Sequence, residues 1–101
     1  MTGRTATADE YLAVAKVYED LICQTYKKLG GDDTYLRRRS EKFAGIVSDQ
    51  KTVGSRQSCY LLYRDLREEI IGFRPAEIEV INQKIRTALG TGTKYTIGVA
   101  S

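Results

Sequence analysis

The chain has 101 residues, of which 16 are Lys or Arg and 13 are Asp or Glu, for a formal net charge of +3, and 42% are hydrophobic. This composition is typical of one small globular domain, and it excludes a disordered chain or a strongly acidic mimic of nucleic acid. The sequence has no histidine and only two widely separated cysteines, Cys23 and Cys59, which excludes Ser-His-Asp and Cys-His catalysis and argues against a zinc site.

A polar leader, residues 1–7, precedes the first helical pattern. Thr7 and Glu10 have the spacing of a capping box, in which each residue satisfies a backbone donor at the start of a helix. The apolar periodicity that follows predicts a first helix over residues 8–29. Gly30-Gly31 is the expected end of this helix, because glycine readily adopts the backbone conformation that closes a helix.

A second helix is predicted over residues 34–47. Asp32 or Asp33 is its expected N-terminal cap, since a carboxylate accepts hydrogen bonds from the free N–H groups of the first turn. Its apolar stripe consists of Leu36, Phe43 and Val47. Residues 48–54 are polar and end in glycine, which indicates a loop.

The third helix, predicted over residues 56–71 with Ser55 as its cap, contains the densest apolar run of the chain. One stripe has the spacing of a core-facing surface: Cys59, Leu62, Tyr63, Leu66 and Ile70. Three further apolar residues lie off that stripe: Tyr60, Leu61 and Ile71. We expect these three to pack either on the other helices or on another chain.

A fourth helix is predicted over residues 75–89, with Pro75 in the first helical position. In the last segment, residues 91–101, the period changes from helical to alternating, and Tyr95, Ile97 and Val99 share one side. Alternation predicts a strand, but the chain offers it no partner strand. The sequence therefore predicts a C-terminal arm that a neighbouring chain holds, with these three residues at the interface.

A basic cluster in the second helix is the most conspicuous charge feature: Arg37, Arg38, Arg39 and Lys42. Arg38 and Lys42 share a side of the helix, and Arg37 has the spacing to pair with Glu41. Two interpretations stay open for the cluster. It either contacts nucleic acid or another anion, or it is a solvated surface that forms salt bridges within or between chains.

A helix-turn-helix is a further nucleic-acid hypothesis. It would place Asn82, Gln83 and Arg86 of the fourth helix against bases. Glu77 and Glu79 argue against it, because carboxylates at the entering end of that helix would face phosphates.

Together these patterns predict an all-α fold, a four-helix antiparallel bundle over residues 8–90 with a strand-like C-terminal arm over residues 91–101. The predicted function is that of a non-enzymatic assembly or interaction subunit that self-associates. It would use the extra apolar helix face and the arm to build a homo-oligomer or larger assembly. Connector-type structural subunits of viruses and phages have a comparable architecture, which is an analogy of architecture alone.

Two alternatives accompany this prediction. One is a nucleic-acid or phosphate-binding module that uses the basic cluster, and the other is a small protein inhibitor that docks on a larger complex. We predict no catalytic, cofactor or metal site. Because the chain has neither a secretory signal pattern nor a run long enough to span a membrane, the expected location is the cytoplasm or a virion-type assembly, without membrane contact.

Overall fold

Four α-helices make up the fold in a computed structural model that describes residues 7–90 and 94–98. They are α1 (Ala8–Lys28), α2 (Asp33–Val53), α3 (Arg56–Ile71) and α4 (Pro75–Leu89). The all-α class predicted from the sequence is confirmed, and α3 and α4 have the predicted bounds. Residues 94–98 form a turn and a bend, with no strand in the described ranges, and Val99 lies outside them. The strand predicted for the arm therefore stays a prediction.

The helix starts follow the predicted capping chemistry. The N–H of Glu10 donates to the Thr7 hydroxyl at 3.2 Å, and the N–H of Thr7 donates back to the Glu10 carboxylate at 3.2 Å. Asp32 and Ser55 accept from N–H groups in the first turns of α2 and α3, and Pro75 occupies the start of α4. Each helix therefore begins where the sequence places a residue suited to its free backbone donors.

A tight turn brings α2 back against α1. The N–H of Gly31 donates to the carbonyl of Tyr26 at 2.7 Å, and the N–H of Gly30 donates to the carbonyl of Lys27 at 3.1 Å. This pair of bonds is the Schellman arrangement, which needs a left-handed residue just beyond the helix end. Gly30 supplies it with a φ of +91°.

Helix α2 extends six residues beyond its predicted end, because it continues to Val53 instead of ending at Val47. The residues that we interpreted as a polar loop form an exposed helical end. No glycine or proline interrupts the chain between Val47 and Gly54, so the backbone bonds continue. Polarity here marks contact with water and not the end of the helix.

The main core belongs to three of the four helices. Its buried residues come from α1, α3, α4 and the C-terminal segment: Val14, Ala15, Tyr18, Leu21, Ile22, Leu66, Ile70, Ile78, Ile81, Ile85 and Ile97. Among the described residues of α2, Phe43 packs against this cluster while partly exposed, and Leu36 and Val47 are buried outside it. The largest share of apolar burial therefore stabilises α1, α3 and α4, and α2 is attached to them from outside.

The contacts also fix the relative directions of the first three helices. Tyr11, near the start of α1, packs on Tyr60 and Tyr63 near the start of α3, and Tyr26, near the end of α1, packs on Phe73 beyond the end of α3. Helices α1 and α3 thus run in the same direction. The beginning of α2 lies at the end of α1, where Tyr35 contacts Tyr26, so α2 runs the opposite way, as in a helical bundle.

A short segment after α4 returns to the core. Ile97 is only 5% exposed. The side-chain amide of Asn82 donates to the carbonyl of Ile97 and accepts from its N–H at 2.8 Å, and the hydroxyl of Tyr18 donates to the carbonyl of Tyr95. Asn82 itself is only 1% exposed. Its side chain satisfies the buried N–H and carbonyl of Ile97, which lie outside any helix and have no helical partner.

We predict that Asn82→Ala lowers the free energy of unfolding by about 1–3 kcal/mol, because the buried N–H and carbonyl of Ile97 lose their partners. The same substitution should speed hydrogen exchange at the amide of Ile97, which mass spectrometry or NMR can follow. Gln83→Ala, at the exposed neighbouring position, is the control and should change neither quantity. An Ile97 amide that exchanges equally slowly in Asn82→Ala would contradict this role.

Candidate functional site

The most connected polar group of the molecule is the guanidinium of Arg39. Its Nε and Nη2 donate to the two carboxylate oxygens of Glu19 at 2.8 and 2.7 Å, and Nη2 also donates to Glu69 at 2.8 Å. Glu19 belongs to α1 and Glu69 to α3, so one side chain of α2 joins three helices. The exposed fractions of the Arg39 and Glu19 side chains are 17% and 7%. We call Arg39, Glu19 and Glu69 the arginine clamp.

The arginine clamp sets the electrostatics of its surroundings. Burial alone would lower the pKa of Arg39, but its hydrogen bonds to Glu69 and Glu19 outweigh this effect and raise the pKa, so the guanidinium stays charged. The hydroxyl of Tyr26 donates to Glu69 at 3.0 Å, and burial followed by this contact raises its pKa to about 12. These bonds are stronger than neutral ones because each has a charged partner, and their partial burial away from bulk water strengthens them further.

Neither cysteine has the surroundings of a nucleophile. Cys23 donates to Glu19 at 3.1 Å, and burial together with that carboxylate raises the pKa of its thiol. Burial also raises the pKa of Cys59, which packs with Tyr11 and Leu12 in a second apolar cluster. Both thiols are free. Arg39 lies near Cys23 and acts to lower its pKa, but burial and Glu19 outweigh this effect, so the thiol is not activated as a thiolate.

An open cleft of about 690 Å³ lies along the first half of α2. Its walls contain three of the four residues of the predicted basic cluster, together with the helix cap Asp32 and two residues, Thr34 and Tyr35, for which the sequence predicted no functional role. We call it the α2 cleft, and its lining residues are Asp32, Thr34, Tyr35, Arg38, Arg39 and Lys42. Arg37 does not line it. Although Arg37 has the spacing to pair with Glu41, the two form no ion pair in the described part of the chain.

The outer face of α3 carries the second candidate surface. Leu61 and Ile71, two of the three surplus apolar residues, are 36% and 46% exposed. Arg64 and Glu68 lie between them on the same side and are exposed as well. We call Leu61, Arg64, Glu68 and Ile71 the α3 seam. The third surplus residue, Tyr60, is half-buried and packs edge-on against the Tyr11 ring at 5.3 Å, so it belongs largely to this chain's own aromatic cluster.

The residues predicted at the arm interface have different positions. Ile97 is part of the main core, Tyr95 packs against it while partly exposed, and Val99 lies outside the described residues. Their contact with a partner stays a prediction. The helix-turn-helix hypothesis loses its first base-reading residue, because Asn82 is buried and bonded to Ile97.

Other classes of site leave no trace in the part of the chain that the structure describes. No group of three or more Cys, Asp or Glu side chains there has the arrangement to hold a metal ion. Within residues 7–90 and 94–98, no helix combines the length and apolarity needed to cross a bilayer. Comparison with protein-family models, with curated proteins and with solved structures gave no match for this chain.

We predict that Arg39→Met lowers the free energy of unfolding by about 3–5 kcal/mol, because it leaves the carboxylate of Glu19 buried without a counter-charge. Urea unfolding followed by circular dichroism measures the change. Adding Glu19→Gln should restore part of the loss, since no charge then remains buried at that position. Arg38→Met, on the exposed side of α2, is the matched control and should stay within about 0.5 kcal/mol of the parent. Equal effects of the two methionine variants would contradict the clamp.

Alkaline pH should also destabilise the fold through its tyrosines. The pKa of Tyr26 is raised to about 12, whereas tyrosine in the unfolded chain ionises near pH 10. Above about pH 10 the unfolded state therefore binds fewer protons than the folded state, and stability falls as the pH rises toward 12. Urea unfolding at several pH values should show a shallower decline for Tyr26→Phe than for Tyr35→Phe, the exposed control. Identical declines would contradict the assignment.

Proposed function

We propose that this protein is a non-enzymatic assembly or interaction subunit that self-associates through the α3 seam. The observation that carries the proposal is the exposure of Leu61 and Ile71 on the side of α3 that faces away from the core. Isolated exposed apolar residues are common on protein surfaces. What distinguishes this pair is its regular spacing and the order of the charges between them.

The four seam residues follow one another at intervals of three, four and three. At about 100° per residue they occupy an arc of about 80°, opposite the stripe that contains Cys59, Leu66 and Ile70. Intervals of three and four repeat the a and d positions of a coiled coil, which is the pattern of a helix that packs along another helix. The α3 seam therefore has the geometry of a packing surface, and no described residue outside α3 covers Leu61 or Ile71 fully.

The order of the residues is self-complementary. Suppose that two copies of α3 pack antiparallel, with the two-fold axis crossing the seam at the level of Leu66 along the helix. Leu61 of one copy then meets Ile71 of the other. The same symmetry places Arg64 of one copy opposite Glu68 of the other, so both ends pair apolar groups and the middle pairs opposite charges. A closed two-fold dimer requires a surface that complements itself in this way.

The expected complex is weak when it depends on the seam alone. The seam runs from Leu61 to Ile71 and is about 15 Å long, which covers less area than a standard protein interface. The dimer should therefore dissociate as the protein is diluted. A larger assembly needs a second contact, and Val80, exposed at 42% on α4, adds apolar surface outside the seam.

The predicted arm supplies that second contact in our proposal. Ile97 is committed to this chain's core, so the part of the arm proposed to add to a partner begins at Val99. An antiparallel bundle with such a strand-like arm is the architecture proposed for the whole chain, comparable to a connector-type subunit of a cytoplasmic or virion-type assembly. Removing residues 99–101 leaves Ile97 and its partner Asn82 in place, which makes this truncation a cleaner test of the arm than removal of residues 95–101.

Charge reversal tests the seam directly. Arg64→Glu should weaken the dimer at least tenfold, because it sets two carboxylates against each other across the two-fold axis, and Glu68→Arg should weaken it similarly. The double variant should regain the affinity of the parent, since each reversed charge again meets its opposite. Sedimentation equilibrium at several protein concentrations measures the dissociation constant.

Lys51→Glu, an exposed charge reversal on α2, is the control and should leave the dimer unchanged. Leu61→Glu should give a monomer at every concentration. A parent protein that is monomeric up to millimolar concentration would overturn self-association and favour a subunit or inhibitor that docks on a different protein. Loss of the dimer in the double variant would overturn the antiparallel pairing.

A further inference from the structure

The α2 cleft has an uncompensated positive wall. Arg38 and Lys42 lie one helical turn apart, so both project to the same side of α2. Both are exposed, and neither forms an ion pair with any residue in the ranges 7–90 and 94–98. Most exposed cations of this kind are merely solvated. These two differ because they share a concave surface.

The rest of the charge in the α2 cleft is already neutralised. Arg39 lines the cleft but gives its donors to Glu19 and Glu69, and because this one cation is paired with two carboxylates it adds no free positive charge for a ligand. Asp32 accepts from the N–H groups of Thr34 and Tyr35 at 2.7 and 3.2 Å, and the positive end of the helix compensates its carboxylate. The charges left without a partner in the cleft, and therefore available to a ligand, are those of Arg38 and Lys42.

An aromatic surface lies beside these cations. The side chain of Tyr35 is 49% exposed, and its ring meets the ring of Tyr26 at 6.2 Å and an interplanar angle of 83°. This contact holds Tyr35 in position from the side of α1. The guanidinium of Arg39 in turn lies 5.7 Å from the centre of the Tyr26 ring, so the arginine clamp also contacts this aromatic pair.

We propose that the α2 cleft binds a nucleoside phosphate, with the phosphate at Arg38 and Lys42 and the base stacked on Tyr35. Arginine and lysine are the usual protein partners of phosphate, and tyrosine provides a stacking surface for any base. A bare anion would use the cations alone and leave the aromatic wall and most of the volume unused. The cleft, at about 690 Å³, has the size of a small-molecule site.

Two sources supply this chemistry, a free nucleotide and a nucleotide unit of a single strand. The site lies on α2, whereas the α3 seam lies on another helix, so ligand binding is independent of the proposed self-association. If the ligand is a single strand, its next nucleotide would extend along the first turn of α2. Thr34 and Asp32 line that end of the cleft.

The test uses the full chain at low salt with three probes: AMP, inorganic phosphate and a fluorescein-labelled single strand of about 12 nucleotides, a length within the range of known single-strand sites. Calorimetry measures the small ligands, and fluorescence anisotropy measures the strand. Arg38→Gln combined with Lys42→Gln should reduce binding of the nucleotide or strand at least tenfold. For the strand, the salt dependence should also fall, by about 1.4 in the logarithmic slope for two lost contacts.

Tyr35→Leu separates stacking from charge. It should weaken AMP or the strand about tenfold and leave the much weaker binding of inorganic phosphate unchanged. The double variant Lys51→Gln with Lys84→Gln removes the same charge from exposed sites elsewhere and should bind like the parent. All of these positions are exposed, and thermal unfolding verifies that each variant is folded.

The outcomes divide cleanly. Binding of AMP with an affinity equal to that of the strand identifies a free nucleotide as the ligand, and binding of the strand alone identifies a single-stranded nucleic acid; either supports the proposal. Absence of binding to all three probes overturns it. Equal losses in the cleft variant and the control variant also overturn it, because they would show attraction by net charge and not by the cleft.

Discussion

The position of α2 depends on one buried ionic interaction, the bidentate pairing of Arg39 with Glu19 and its additional bond to Glu69. The main core is built from α1, α3, α4 and Ile97, and among the described residues of α2 Phe43 packs on it while partly exposed. Leu36 and Val47 of α2 are buried as well but lie outside that cluster, so α2 shares less of the common apolar core than the other three helices. A buried ion pair contributes less net stability than apolar groups of the same volume, but it requires a defined geometry. Here that geometry favours one rotation of α2 about its own axis and one position of α2 along α1 and α3.

This dependence links the two candidate surfaces. The α2 cleft exists because the arginine clamp holds the first half of α2 beside Tyr26, which in turn positions Tyr35. The α3 seam exists for the opposite reason, because the core stripe of α3 packs within the main core and Leu61 and Ile71 on its outer side stay exposed. One surface is positively charged and concave, and the other is a straight line of mixed apolar and charged residues. The two surfaces suit different classes of partner.

The sequence predicted the helices well because caps and periodicity are local properties. Thr7, Ser55 and Pro75 act within one turn of the chain, so no tertiary information is needed to interpret them. The end of α2 was missed because residues 48–53 are polar, and polarity alone does not distinguish an exposed helix from a loop. The return of Ile97 to the core was missed because its partner Asn82 comes from another segment. A signal for the arginine clamp was present, since Glu19, Arg39 and Glu69 each lie on or beside the apolar stripe of their helix.

The arginine clamp also constrains how this protein can evolve. Replacing any one of its three residues leaves a buried charge or an unsatisfied donor, so single changes at these positions are strongly selected against. Neutral drift there requires coordinated replacement of Glu19 and Arg39, with Glu69 free to change somewhat earlier because it is more exposed. The outward residues of α2 face no such restriction. In divergent descendants of this chain, three charged positions about 20 and 30 residues apart that vary together would be a more durable mark of common ancestry than overall sequence identity.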